Sequence, residues 1–235
     1  MTLIEICVDD AGGVRAAREG GADRVELCRD LSCGGLTPDF GLVEEALDQA
    51  PTGGLQVLVR PRPGDFVHTG EEVARIGADI RALARLGSGA RVPLGFVVGV
   101  LEVDGTLNES ACRRLRDEAG DAPLTFHRAF DAVPDQEAAL ERLIDWGYDR
   151  VLTTGGHPAV AQTEALRALV DQAGDRIGIL VSGGLRSTNV AGIAAASCAR
   201  EVHMRAPAPQ GAACGTDIDE VRRIVAALDA TATTR

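Results

Sequence analysis

The chain has 235 residues, of which 45% are hydrophobic but only 3% aromatic, and a formal net charge of −11. That size suits one large α/β domain, residues 1–235, with an aliphatic core of the kind that buried parallel strands and their covering helices build. The acidic balance, with no basic patch, excludes a nucleic-acid partner, and the 24 basic residues are all Arg, which excludes Schiff-base chemistry through a lysine amine.

Residues 1–7 include Glu5 and lack a basic start, so no signal peptide is expected. No apolar run reaches membrane-spanning length. Six cysteines lie scattered, without a close CxxC pair or zinc-like spacing, which fits a reduced cytoplasmic protein.

In chain order, LIEICV (3–8) alternates as a strand, and a helix follows from about Asp10 to Glu19, closed by Gly20-Gly21. RVELC (24–28) is the second strand. It repeats the Glu-x-Cys pattern of the first in the same phase, and a helix from about Asp39 to Gln49 follows it. LQVLVRPR (55–62) leads to a helix over about 71–86, and GFVVGVL (95–101) to one over about 108–119. LTFHRAFD (124–131) is a strand ending in an imidazole, a cation and an acid. It precedes a helix from about Asp135 to Trp146. RVLT (150–153) opens into Thr154-Gly155-Gly156-His157, before a helix over about 161–173. IGILVSGG (177–184) precedes a helix over about 188–196. REVHM (200–204) precedes a last helix from about Asp217 to Leu228, with a frayed tail over 230–235. Eight strands each followed by a helix predict a (β/α)8 TIM barrel, with a doubly wound sheet as the alternative.

The strand phase then sorts the side chains. Ile4, Ile6, Val25, Leu27, Val57, Val59, Leu124, Phe126 and Val202 should face the helices. Glu5, Cys7, Glu26, Cys28, Arg60, His127, Glu201 and His203 should face the barrel interior near the C-terminal ends of the strands. Three buried carboxylates need cations, and Arg60, Arg128, His127 and His203 are the expected partners. The result is a polar knot on the face where barrel enzymes keep their active sites, or else a structural plug.

With these residues assembled, the chain resembles the CutC family, known as copper homeostasis proteins. The matching segments are LIEICV, GADRVELC, GGLTP, RPRPGDF, GVL-x-x-DG, LTFHRAFD, RVLTTG and the GG…EVH ending, in order from residue 3 to about 203. The resemblance implies a TIM-type barrel, and the family pattern carries over at Glu5, Cys7, Glu26, Cys28, Arg60, Arg62, Asp65, His127, Arg128, Asp131 and His203. The chain departs from the pattern at Arg62-Pro63-Gly64-Asp65-Phe66, where the family has Arg-Gly-Gly-Asp-Phe. It departs again at Met204-Arg205-Ala206, and the loop that follows looks short.

Two functions compete. In the first, Cu(I) is bound by Cys7 and Cys28, soft thiolates in one phase on neighbouring strands; free cysteines more often serve as small buried hydrophobes. In the second, the barrel is an isomerase, epimerase or lyase acting on a small anionic or phosphorylated metabolite. Glu5, Glu26, Arg60, His127, Arg128, Asp131 and His203 would be its catalytic residues, with Ser182, Gly183, Gly184, Gly155 and Gly156 binding the phosphate. Glycine pairs also serve tight turns that bind nothing. Met204 reads as outward-facing core, His68 and His157 as solvated loop residues, and Cys33, Cys112, Cys198 and Cys214 as incidental. No organic cofactor is indicated. The expected partners are a copper ion or a small anion, with no nucleic acid and no membrane, and a homodimer or an interaction module remains in view.

Overall fold

A computed structural model describes residues 2–212 and 214–232, with backbone alone at 231–232. Eight parallel strands close into a barrel in sequence order. They are β1 (Leu3–Val8), β2 (Arg24–Leu27), β3 (Leu55–Leu58), β4 (Leu94–Val98), β5 (Leu124–Phe126), β6 (Arg150–Thr153), β7 (Gly178–Val181) and β8 (Glu201–Met204). The helices are α1 (Ala11–Gly20), α2 (Phe40–Gln49), α3 (Gly70–Leu86), α4 (Glu109–Ala119), α5 (Gln136–Asp145), α6 (Thr163–Ala173), α7 (Val190–Ser197) and α8 (Ile218–Ala232). Among the described residues, no helix is long and apolar enough to cross a membrane.

The strands are short because the chain stops them. Pro61 and Pro63 lack the N–H a ladder needs, so β3 ends at Leu58 rather than at 62. Positive φ at Gly183 and Gly184 turns the chain away after β7, which ends at Val181 rather than at 184. After β5, Arg128–Ala132 tightens into a 3-10 turn. In the other direction, α8 continues past Leu228 to Ala232, and residues 233–235 of the expected frayed tail lie outside the described residues.

Local signals hold the helices in place. Asp10 caps α1 by accepting from the Gly13 N–H at 2.6 Å, and the helix closes at left-handed Gly21. Thr69 and Glu72 form a reciprocal capping box on α3. Every residue expected to face the helices is buried in the main apolar cluster. Met204 joins that cluster, and Cys112 lies fully buried beneath α4.

Register then decides what meets inside the barrel. Glu5 on β1 lies beside Arg24 on β2 and His203 on β8, and Cys7 lies beside Glu26. The positions expected to point inward on β1, β2 and β8 therefore converge on the barrel axis.

Candidate functional site

A file of ion pairs runs up the axis. At the N-terminal end of the barrel, Glu201 accepts from Arg150 Nε at 3.0 Å and from Arg24 Nη2 at 2.7 Å. Arg24 Nε donates to Glu5, and Glu5 Oε1 meets His203 Nδ1 at 2.8 Å. Arg24 and Glu5 are each 1% exposed. The expected partners of the carboxylates are thus corrected: His203 pairs with Glu5 as expected, but Arg24 and Arg150 take the places foreseen for Arg60, Arg128 and His127. Glu201, first residue of β8, sits at the floor of the barrel and not at its mouth. Arg24 had a signal in the sequence, since it shares the i, i+2, i+4 phase of Glu26 and Cys28.

Above this file, the thiol of Cys7 donates to Glu26 Oε1 at 3.8 Å and lies 3.9 Å from the sulfur of Cys28. Cys7, Glu26 and His203 each offer a ligand atom, all within 4.8 Å of one another. Glu26 Oε2 is buried and, among the described residues, has no hydrogen-bond partner.

Electrostatics differ sharply within this cluster. Burial would raise the Glu5 carboxyl, but Arg24 and His203 hold it at about 2. Glu26, also buried, has no such cation bonded to it and rises to about 7 despite the pull of His203. Burial opposes charge on His203, yet Glu26 and Glu5 together raise it. The Cys7 thiol is pushed well up by the Cys28 thiol, by burial and by Glu26.

Arg60 and His127 stand across the mouth. Arg60 Nη1 donates to the carbonyls of Cys33 and Gly35, and Nη2 to that of Gly64 at 2.7 Å. Its guanidinium lies 5.0 Å over the Phe66 ring, and Phe66 in turn packs on His127 at 4.8 Å. Burial, then Arg60 and His68, lower His127 to about 3, so its ring is neutral. Arg62 Nη2 bonds Asp65 and the Val67 carbonyl, and Arg62 Nε bonds Glu72, folding the 62–68 loop over the mouth. His68 is consequently buried, at 8% exposure, rather than solvated as expected. Exposed His157 accepts from the Ala159 and Val160 N–H groups.

Asp131 is not part of this cluster. Its Oδ1 accepts from Thr153 Oγ1 at 2.6 Å, from the Thr154 N–H at 2.9 Å and from the Gly156 N–H at 3.2 Å. Its Oδ2 accepts from Arg128 Nε at 2.9 Å, and Arg128 reaches on to the carbonyls of His157 and Pro158. The glycine turn after β6 already holds an anion, the protein's own carboxylate, and the Gly155 N–H is spent on Thr153. Ser182, Gly183 and Gly184, by contrast, line one pocket of about 320 Å³ with Cys7, Glu26 and Cys28. Arg60, His127 and His203 line the same pocket, as do Phe66 and Arg205, which the sequence marked only within departures from the family pattern, and Arg186, which it did not mark.

Fold and site together define a (β/α)8 barrel with a thiol–carboxylate–imidazole cluster at its C-terminal mouth. The CutC family model matches residues 2–208, and the chain belongs to the CutC family. A CutC family protein of Mesorhizobium japonicum is 46% identical over 207 residues, covering 88% of this chain and 78% of its own length. The human copper homeostasis protein cutC homolog is 38% identical, covering 87% of this chain and 73% of its own length. The crystal structure of CutC from Streptococcus agalactiae superposes with a TM-score of 0.79 at 30% identity, over 86% of this chain and 98% of that one. Phosphoribosylanthranilate isomerases, 14% identical with TM-scores near 0.61, share the barrel alone.

Proposed function

We propose that this chain serves copper homeostasis in the cytoplasm by taking up Cu(I) on Cys7 and Cys28. The observation that carries the reading is the sulfur pair, 3.9 Å apart, one on β1 and the other just past the end of β2, both lining one pocket. An ion about 2.3 Å from each sulfur, an ordinary metal–thiolate length, fits between them without moving either strand. Thiolates suit a soft monovalent ion. The human relative carries copper homeostasis in its name, which agrees with this reading. Because ligand thiols give up their protons on binding, affinity should weaken as pH falls.

The test is a Cu(I) competition titration against a chromophoric chelator, on reduced protein, comparing wild type with Cys7→Ser/Cys28→Ser. Tight one-site binding that the double variant loses is the expected result. Weak binding that the substitution leaves unchanged overturns the reading.

A second reading rests on Glu26 and His203, a carboxyl and an imidazole whose ligand atoms lie within 4.8 Å of each other and line the same pocket. It would make the barrel an acid–base catalyst of the isomerase, epimerase or lyase kind. Glu26→Gln should then abolish turnover of a small-molecule substrate while leaving Cu(I) affinity intact.

A further inference from the structure

Burying a charge is costly unless an opposite charge meets it. Arg24 obeys this rule twice, through Glu5 and Glu201. Arg60 does not. It is 6% exposed, its guanidinium donates to three neutral carbonyls, and among the described residues it forms no ion pair. Its Nε–H, itself buried, has no partner.

His127, 5% exposed, lines the same pocket. Its Nδ1 accepts the Ala129 N–H at 3.1 Å, so the proton of the neutral ring sits on Nε2, which is also buried without a partner. A third set of donors lines this pocket at the turn after β7. Among the described residues, the N–H groups of Gly183 and Gly184 take part in no recorded hydrogen bond. Nor do the half-buried Arg186 and the exposed Arg205 have an acidic partner there. The charged groups lining the pocket are thus four arginines and one glutamate, in a chain whose net charge is −11. Only Arg128 of the four is neutralised, by Asp131.

We propose that the missing counter-ion is the ligand: the mouth binds a small molecule ending in an oxyanion, phosphate or carboxylate, received by Arg60 Nε–H, His127 Nε2–H and the free amides of Gly183 and Gly184, with Arg186 and Arg205 beside them. A pocket of about 320 Å³ takes a metabolite and not a polymer. The proposal uses neither cysteine and stands apart from the copper reading.

Isothermal titration with inorganic phosphate and with acetate, at fixed ionic strength, tests it. Wild type should bind at least one of them saturably; phosphate alone marks a phosphoryl ligand, acetate alone a carboxylate. His127→Phe keeps an aromatic ring and removes the donor, and Arg186→Gln/Arg205→Gln removes charge at a half-buried and an exposed position; each should weaken binding by about tenfold or more. Arg60→Gln should do the same, but it also frees three carbonyls, so the other two variants decide if it fails to fold. No saturable binding of either anion, or equal affinity in the His127 and Arg186/Arg205 variants, overturns the proposal.

Discussion

Two glutamates on adjacent strands illustrate how far one neighbour can separate identical side chains. Glu5 and Glu26 are both almost fully buried. Glu5 bonds the Arg24 guanidinium and drops to about 2, whereas Glu26 bonds only a thiol and rises to about 7. The sign for stability follows. A carboxyl whose folded pKa is raised from 4.5 stabilises fully below about 4.5, and that contribution disappears as pH rises through 7. Glu26→Gln stays neutral throughout. Metal-free Glu26→Gln should therefore match wild type near pH 5 and exceed it at pH 8, by up to about 3 kcal/mol. Urea denaturation at both values checks this, and an offset independent of pH would remove the titration of Glu26 from the account. Residue identities at these positions were legible from strand phase alone. What phase did not reveal was the pairing. Arg24 shares the phase of Glu26 and Cys28, but only the register of β1 on β2 places it beside Glu5. Asp131, the last residue of LTFHRAFD, reads as catalytic, yet the strand stops at Phe126 and a 3-10 turn swings Asp131 into the amides of the next loop.

Elements in this barrel are shaped by what the interior must hold. Strand and helix order could be read from alternation and caps, and β3 and β7 ended early where proline or left-handed glycines stopped a ladder, β5 where a 3-10 turn follows it. The mouth loops resisted reading because long-range bonds set their shape: Arg62 to Val67 and Glu72, and Arg60 to Cys33, Gly35 and Gly64. Gly99, just beyond β4, shows the same dependence. A Cβ there would lie 2.2 Å from His127 Cε1 and 2.3 Å from its Nδ1, so the absence of a side chain makes room for the imidazole. The ring cannot retreat easily, because Phe66 and Phe126 pack against it. Gly99→Ala should thus cost about 1–3 kcal/mol as an overpacked site. It should also perturb the His127 ring resonances in NMR spectra, since the Ala129 N–H to Nδ1 bond must break or bend. Unchanged His127 resonances with full stability would refute the close fit.

On the scale of the whole molecule, the barrel interior is a file of charge, Arg150–Glu201–Arg24–Glu5–His203, wrapped by an aliphatic shell. Its upper end carries the thiol cluster and its lower end closes the floor, so the same groups that fill the barrel orient His203 at the mouth. Replacing a buried ion pair with apolar groups is often tolerated, whereas removing one partner strands the other. Arg24→Met leaves Glu5, at 1% exposure, with His203 as its one recorded charged partner. That substitution should cost about 3–5 kcal/mol at pH 7, and Arg24→Met/Glu5→Leu should recover most of the loss. The pH dependence has a definite sign. Glu5 is depressed in the folded state, so its stabilisation is present above about 4.5 and lost as pH falls through about 2. The gap between wild type and Arg24→Met should accordingly narrow as pH falls from 7 towards 3, because the stranded carboxyl takes up a proton sooner than the paired one. Urea titrations of the three proteins across that range measure it. A single-variant cost under about 1 kcal/mol, or a double variant no better than the single, would mean that the axial charges are solvated rather than mutually dependent; His203 would then owe its orientation to packing, and the site at the mouth would be electrostatically independent of the barrel floor.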